Sequence, residues 1–257
     1  MVLADSDSSD MQIREVTTFE EYDACLALQR EAFGMPDLEL SPRRHLIVAR
    51  AAGGWTLGAF DAGRLVGFVL TQVALRARTE VFGYSHMMAV ARDSQNRGVG
   101  ARLKWAQRER AIGEGWRLLK WTFEPTRARN AHFNLNRLGV VVRRYEENFY
   151  GTDYATQADE QGAHEGLASD RLVAEWELDS PRVETMSRGD RPNMGDAVAS
   201  VEIPPDWTAL VREDVTAARR ELGRVRAEFQ SALARGLVCA GFERDPSRPR
   251  YLFFSES

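Results

Sequence analysis

An α/β (α+β) fold is what this sequence predicts, and three observations predict it. Alternating, β-rich segments are interleaved with capped helical segments. One helix starts directly after a strand, across a turn holding two glycines. The 257 residues, 44% of them apolar, are ample for a buried core.

The first strand is expected at Ile13 to Val16. Thr18-Phe19-Glu20-Glu21 then forms a capping box, with Thr18 as N-cap and Glu21 reaching back. Phe19, Tyr22, Leu26 and Phe33 recur at helical spacing, so a helix runs to about Phe33, where Gly34 and Pro36 stop it. Thr56 to Phe60 and Leu65 to Val73 read as two strands joined by Asp61-Ala62-Gly63-Arg64, a turn with Gly where positive φ is tolerated. A further strand spans Phe82 to Val90, and a helix spans Gly100 to Glu114. Leu118 to Phe123 is a strand closed by Pro125, Asn130 to Leu138 a short helix, and Val140 to Val142 the start of another strand.

Beyond Gly151 the composition changes. Residues 152–170 are polar and read as a linker, and Leu172 to Leu178 is a candidate strand. Asp179 to Asp196, rich in Pro, Gly, Arg and Ser, reads as a mobile loop. Ala199 to Ile203 is a short strand. Trp207, Leu210, Val211, Val215, Ala218, Leu222, Val225, Phe229 and Leu233 mark one face of a long helix, with Gly236 just past its end. Leu237 to Phe242 and Tyr251 to Phe254 read as a closing strand pair. The expected organisation is a disordered tail (1–10), one domain (11–151), the linker, and an additional C-terminal α+β region (171–257). That region either completes the sheet, forms a second small domain, or builds a homodimer interface.

Several function classes are excluded. Net charge is −4, with no basic excess, so no nucleic-acid partner is expected. No apolar stretch approaches the ~18 residues of a membrane span, and the N-terminus lacks the pattern of a signal peptide. Cys25 and Cys239 sit in apolar settings with no metal spacing. They read as reduced core residues of a cytoplasmic protein, and no metal is expected.

The chemistry centres on Met88, Ala89 and Val90, the strand end, and on the loop Gln95-Asn96-Arg97-Gly98-Val99-Gly100-Ala101 followed by Arg102. Strand, glycine turn and helix start together make an anion site. Unbonded backbone N–H groups converge there, the helix dipole adds to them, and glycine lets a phosphate approach. A dinucleotide fingerprint needs a third Gly where Leu103 stands, and a P-loop needs Gly-Lys-Ser/Thr, which is missing. On the glycines alone, a plain strand-to-helix turn remains an equal reading.

The pattern Gln-x-x-Gly-x-Gly after Ala-Val resembles motif A of the GNAT superfamily of N-acetyltransferases, on Gln95, Gly98 and Gly100. Arg137-Leu138-Gly139 is similar to the family's closing helix. The resemblance covers about Met11 to Gly151. Trp121 to Pro125 and Asn148 to Gly151 further resemble a bacterial branch with a C-terminal extension. It implies a mixed, mostly antiparallel central sheet flanked by helices. It also implies that the loop amides hold the pyrophosphate of acetyl-CoA or another acyl-CoA, such as succinyl-CoA, and that a backbone N–H near Val90 polarises the thioester.

Acyl transfer needs a base, and His86 is the residue expected to serve, since its ordinary pKa lies near neutral. The competing reading is a core histidine. Strict alternation puts Tyr84, His86, Met88 and Val90 on one face of the strand and Ser85, Met87 and Ala89 on the other. The resemblance puts Leu135 where the family carries a Tyr acid, so that role is absent or moved, with Tyr145 and Tyr150 as nearby candidates. Glu124 either holds the amine, acts as a second base, or pairs with Arg127 or Arg129. Asn130 can cap its helix, and one of Asn130, Asn134 and Asn136 is expected to reach the CoA arm. Arg182, Arg188 and Arg191 can contact an anionic group or simply be solvated. The expected acceptor is a small amine or amino acid; the rival reading is a non-catalytic acyl-CoA-binding protein.

Overall fold

Why the first helix begins and ends where it does is visible in its caps. The computed structural model describes residues 11–34, 37–152 and 166–256; the N-terminal tail and most of the 152–170 linker lie outside them. Helix α1 (Phe19–Phe33) opens on the expected box. The Glu21 N–H donates to Thr18 Oγ1 at 3.3 Å, and the Thr18 N–H donates to Glu21 Oε2 at 3.3 Å. Gly34 closes it at φ 59°.

The chain divides into two compact units, 1–113 and 114–257. The dividing point falls inside the span read from sequence as one domain. In the first unit the strands are β1 (Gln12–Glu15), β2 (Trp55–Asp61), β3 (Arg64–Arg76) and β4 (Glu80–Val90). They pair antiparallel in that order. The β2–β3 turn has Ala62 at φ 47° and Gly63 at φ 80°, the primed geometry that suits a two-residue hairpin. Helix α2 (Arg43–Ala51) was not anticipated. Pro42 precedes it, and Leu46 and Ala49, one turn apart, are its buried residues. Helices α1 and α2 cover one face of this sheet, in a core that includes Tyr22, Cys25, Leu46, Phe68, Leu70 and Ala89. Helix α3 (Val99–Gly113) follows β4.

The second unit holds β5 (Leu118–Phe123), helix α4 (Ala128–His132) running into a π-turn at Phe133–Arg137, β6 (Val141–Glu146), β7 (Arg171–Glu177), helix α5 (Pro181–Ser187) and β8 (Ala199–Glu202). Helices α6 (Trp207–Glu213) and α7 (Val215–Ala234) and strands β9 (Leu237–Glu243) and β10 (Arg250–Ser255) complete it. Strand order is β5-β7-β6-β9-β10-β8, every pairing antiparallel. β7 lies between β5 and β6, so of the three uses left open for the C-terminal region, residues 171–177 take the first and complete the sheet. The closing pair β9–β10 is as expected.

Two expectations about this unit are corrected. The long helix breaks at Asp214, whose side chain accepts from the Ala217 N–H at 2.8 Å and caps α7. An Asp able to cap outcompetes continuation of the apolar stripe. The stretch 179–196 is not all loop, because Ser180 as N-cap and Pro181 at the first turn nucleate α5.

Candidate active site

The motif loop is built by backbone conformation. Asn96 and Gly98 lie at φ 63° and 80° and turn the chain from β4 into α3. The first α3 hydrogen bond runs from the Arg102 N–H to the Gly98 carbonyl at 3.0 Å. The N–H groups of Val99, Gly100 and Ala101 precede that bond and so have no acceptor within the helix. A Cβ on Gly98 would meet nothing within 4 Å, and one on Gly100 would meet Met88 Cε at 3.4 Å. Gln95 Nε2 donates to the Val90 carbonyl at 3.3 Å, tying the loop to the strand end. The two arginines are already engaged: Arg102 donates to the Met11 carbonyl at 2.6 Å, and Arg97 stands 3.8 Å from Asp61.

At the end of β4, Ala91 N–H donates to the Val66 carbonyl at 2.9 Å. The adjacent Gly67–Val90 pair is therefore of the non-hydrogen-bonded kind, and the Val90 N–H points away from β3.

His86 does not share a face with Met88 and Val90, as alternation predicted. The β3–β4 register runs Leu70↔Met87 and then Thr71↔Ser85, so His86 is the extra residue of a β-bulge. The bulge also splits the opposite set. Ser85 Oγ accepts from Lys104 on α3 at 2.8 Å, while Met87 and Ala89 join the core beneath α1 and α2.

Released from the pleat, the exposed His86 ring meets Ser41 and His45. Ser41 Oγ lies 3.3 Å from His86 Nε2 and 3.1 Å from His45 Nδ1, and the Gln72 amide is 2.6 Å from His45 Nε2. The two imidazoles stand edge to face, with centroids 5.2 Å apart. Desolvation by the protein packed around the imidazole first, despite the residue's exposed edge, and the nearby His45 charge second, hold the His86 pKa below its ordinary value. Ser41, His45 and Gln72 were all missed from sequence. The available signal was Ser41-Pro42 opening a segment with Leu46 and Ala49 at helical spacing, which also sets His45 one turn beyond Ser41.

The other candidates belong to the second unit. Glu124 Oε2 accepts from Arg127 Nε at 2.9 Å, and Arg171 lies 3.9 Å from Glu124 Oε1. Of its three readings, the structure shows the pairing with Arg127. Glu124, Asp170, Arg171 and Trp207 line a small half-open hollow. Tyr150 is 43% exposed, its ring 5.0 Å from the Arg171 guanidinium and its hydroxyl 3.5 Å from Thr122 Oγ1. Tyr145 donates to Asp170 at 2.5 Å, and burial followed by that bond raises its pKa.

Asn130 does not cap α4. Arg127 is the N-cap, without a side-chain bond, and Asn130 lies exposed within the helix. Asn134 accepts from Trp121 Nε1 at 3.2 Å, and Asn136 exchanges two 2.9 Å bonds with the Phe242 backbone. Leu135 is fully buried. Arg182 is structural, donating to the carbonyls of Leu135, Gly139 and Ala240 at 2.7, 3.0 and 2.5 Å. Arg188 stands 3.9 Å from Glu184. Both cysteines are buried and free, with Cys25 pushed up to about 12 by burial. Among the described residues no helix is long and apolar enough to cross a membrane.

No curated protein matches the chain. Among solved structures, the ribosomal-protein-S18-alanine N-acetyltransferase from Escherichia coli is 16% identical, with a TM-score of 0.51 over 66% of this chain and 95% of that one. An N-acetyltransferase from Staphylococcus aureus Mu50 is 14% identical, also at 0.51, over 66% of this chain and 100% of its own. These likenesses show the fold. The family model for the acetyltransferase (GNAT) family matches residues 18–139, from the cap of α1 to the glycine after the π-turn. Over that stretch, a little under half of its length, the chain is similar to the acetyltransferase (GNAT) family.

Proposed function

We propose that the protein is an acyl-CoA-dependent N-acyltransferase acting on a small amine or amino acid, with acetyl-CoA or another acyl-CoA as donor. The observation that carries this is the junction of β4 and α3. There the Val99, Gly100 and Ala101 N–H groups lack acceptors within their helix, beside a strand whose Val90 N–H points away from its β3 partner. The first group of donors suits a pyrophosphate. The second suits the oxygen of a thioester under attack. Bound acyl-CoA would supply the activated acyl carbon.

His86 is the base in this reading. Its Nε2 is engaged by Ser41, and its Nδ1 makes no hydrogen bond among the described residues, so Nδ1 is the atom that receives the amine proton. Glu124 is engaged between Arg127 and Arg171 and is given no proton-transfer step; neither is Tyr150. A thiolate leaves readily, so loss of the family's tyrosine acid at Leu135 is compatible with turnover.

The test is thiol release from acetyl-, propionyl- and succinyl-CoA against a panel of amines and amino acids, with CoA binding measured in parallel. Turnover that disappears in His86→Ala while CoA binding persists is the expected result. Tight CoA binding by a protein that turns over no donor would instead establish the non-catalytic reading.

A further inference from the structure

We infer that Ser41 and His45 form, with His86, a reversible proton relay whose direction is selected by the Gln72 amide. The inference rests on His86 as the base. Its basis is an unbroken chain of contacts: His86 Nε2 to Ser41 Oγ at 3.3 Å, Ser41 Oγ to His45 Nδ1 at 3.1 Å, and His45 Nε2 to Gln72 at 2.6 Å. Ser41 is only 8% exposed, whereas His86 is exposed and His45 and Gln72 are half-buried. Both ends of the chain thus reach solvent, and its middle does not.

Ser41 is held independently of its hydroxyl. Its N–H donates to Gln29 Oε1 at 2.8 Å, and its carbonyl accepts from Gln29 Nε2 at 3.1 Å. The hydroxyl is therefore free of backbone duties and sits between two imidazoles. A hydroxyl both donates and accepts, and a neutral imidazole carries one donor and one acceptor nitrogen, so the chain conducts in either direction.

When the Gln72 NH2 donates to His45 Nε2, His45 Nδ1–H donates to Ser41, and the Ser41 hydroxyl donates to His86 Nε2. A half-turn of the Gln72 amide presents its oxygen instead, and once His45 Nε2 has taken a proton from solvent and His86 Nδ1 has given one up, every donor is reversed. His86 then donates from Nε2 and offers a lone pair at Nδ1, which is the form a base needs. A proton taken at Nδ1 from the attacking amine drives the Nε2 proton to Ser41 and the hydroxyl proton to His45 Nδ1. The His45 Nε2 proton leaves to solvent, and the first arrangement is restored with no charge left behind. The inward move runs back from solvent through His45 and Ser41, delivers the Nδ1 proton of His86 to the CoA thiolate, and resets the chain. Over one acyl transfer the ammonium gives its first proton to solvent before attack, the attacking amine loses the second by one outward move, and the thiolate gains one by one inward move, so one proton is released and the chain ends as it began. The same residues thereby serve as base and as the acid that Leu135 cannot be.

The electrostatics are simple. Gln29 from α1 and Gln72 from β3 are uncharged, and His45 from α2 is the charged group that acts on His86. Like charges at 5.2 Å between ring centroids disfavour the doubly protonated pair, so a proton arriving at one ring is expelled from the other.

The experiment has two arms on the full-length protein. Ring-nitrogen NMR of histidine-labelled protein, without any substrate, reads the tautomers of His45 and His86. Thiol release from acetyl-CoA, with the best amine of the panel, reads kcat against pH. Ser41→Ala is expected to return both rings to mixed tautomers and to lower kcat about tenfold, a fraction of what a general base contributes. Ser41→Thr, which keeps the hydroxyl, restores both. His45→Phe, which keeps a ring and removes the charge, moves the acid limb of the profile to higher pH. If His86→Ala abolishes turnover but Ser41→Ala and His45→Phe leave tautomers, kcat and the profile unchanged, the relay is wrong and the base stands. Full turnover in His86→Ala overturns the base and the relay together.

Discussion

Replacing Gly98 and Gly100 singly by alanine separates two reasons for a glycine in one loop. Gly98 sits at φ 80° with open space around it, so its requirement is conformational. An L-residue there costs roughly 1–2 kcal/mol. At roughly 2–4 °C per kcal/mol for a chain of this size class, Gly98→Ala lowers the melting temperature by about 2–8 °C. Gly100 has no positive φ, and a methyl there meets Met88 Cε at an ordinary 3.4 Å. Alanine is favoured over glycine in helices by up to about 1 kcal/mol, so Gly100→Ala leaves the melting temperature unchanged or raises it. Its cost falls on the ligand instead. A methyl at the second α3 residue keeps a pyrophosphate off the Gly100 and Ala101 N–H groups. Losing one hydrogen bond to a charged group costs about 1.5–3 kcal/mol, or roughly 10- to 100-fold in CoA affinity. Thermal unfolding and calorimetric titration with CoA test the crossed pattern, in which Gly98→Ala loses stability and largely keeps affinity. A Gly100→Ala protein that melts early and binds CoA like the parent would refute both assignments.

Three further outcomes follow from other parts of the molecule. The pKa values of His86 and His132 are held below the ordinary histidine value. Desolvation is the larger cause for both, His45 the second for His86, and Arg244 then Arg137 the others for His132. The unfolded chain then binds protons more readily, so this contribution to stability is full above about pH 6.5, falls through the folded values, and levels off below them. Urea midpoints from pH 7.5 to 5 show it, and the His86→Gln, His132→Gln pair should flatten the slope. Gly54→Ala puts a Cβ 2.4 Å from the Thr71 carbonyl oxygen and 2.9 Å from that of Ala49, so the soluble yield of this variant should collapse. Leu135→Tyr, which restores the family's acid in sequence, overpacks a fully buried site and should lose about 1–3 kcal/mol in urea titration without a gain in kcat.

Much of the fold was legible because its signals are local. The Thr18–Glu21 box, the Asp61–Arg64 hairpin and the closing β9–β10 pair are each determined by residues within a few positions. The insertion of β7 between β5 and β6 was not, since strand order depends on pairings that no local pattern encodes. Asp214 shows how a local rule is misapplied. The apolar stripe from Trp207 to Leu233 is real, but the stripe records which side is buried, not whether the backbone is continuous. A break that resumes on the same face leaves it intact, and only the Asp with an acceptable N-cap geometry marks the break.

The site was legible in its backbone half and not in its side-chain half, for one physical reason. Glycines that turn a strand into a helix declare their role by residue type, so the loop at Gln95 to Ala101 could be found from sequence. The side of the strand on which His86 lies depends on counting residues by twos, and a single bulge breaks the count. With that extra residue, His86 leaves the face of Met88 and Val90 and comes to α2, a helix that the sequence reading passed over. Ser41 and His45 then gain a purpose that neither has alone. The bulge thus separates two tasks that an unbroken strand would put on one face. Met88 packs toward Gly100 at the proposed anion site, while His86 turns to a hydroxyl and a second imidazole, the groups of the proposed relay. On the proposed reading, in which His86 is a base emptied once per turnover, that second neighbour serves it better than a place beside the glycine loop, where α3 and its dipole disfavour an added positive charge.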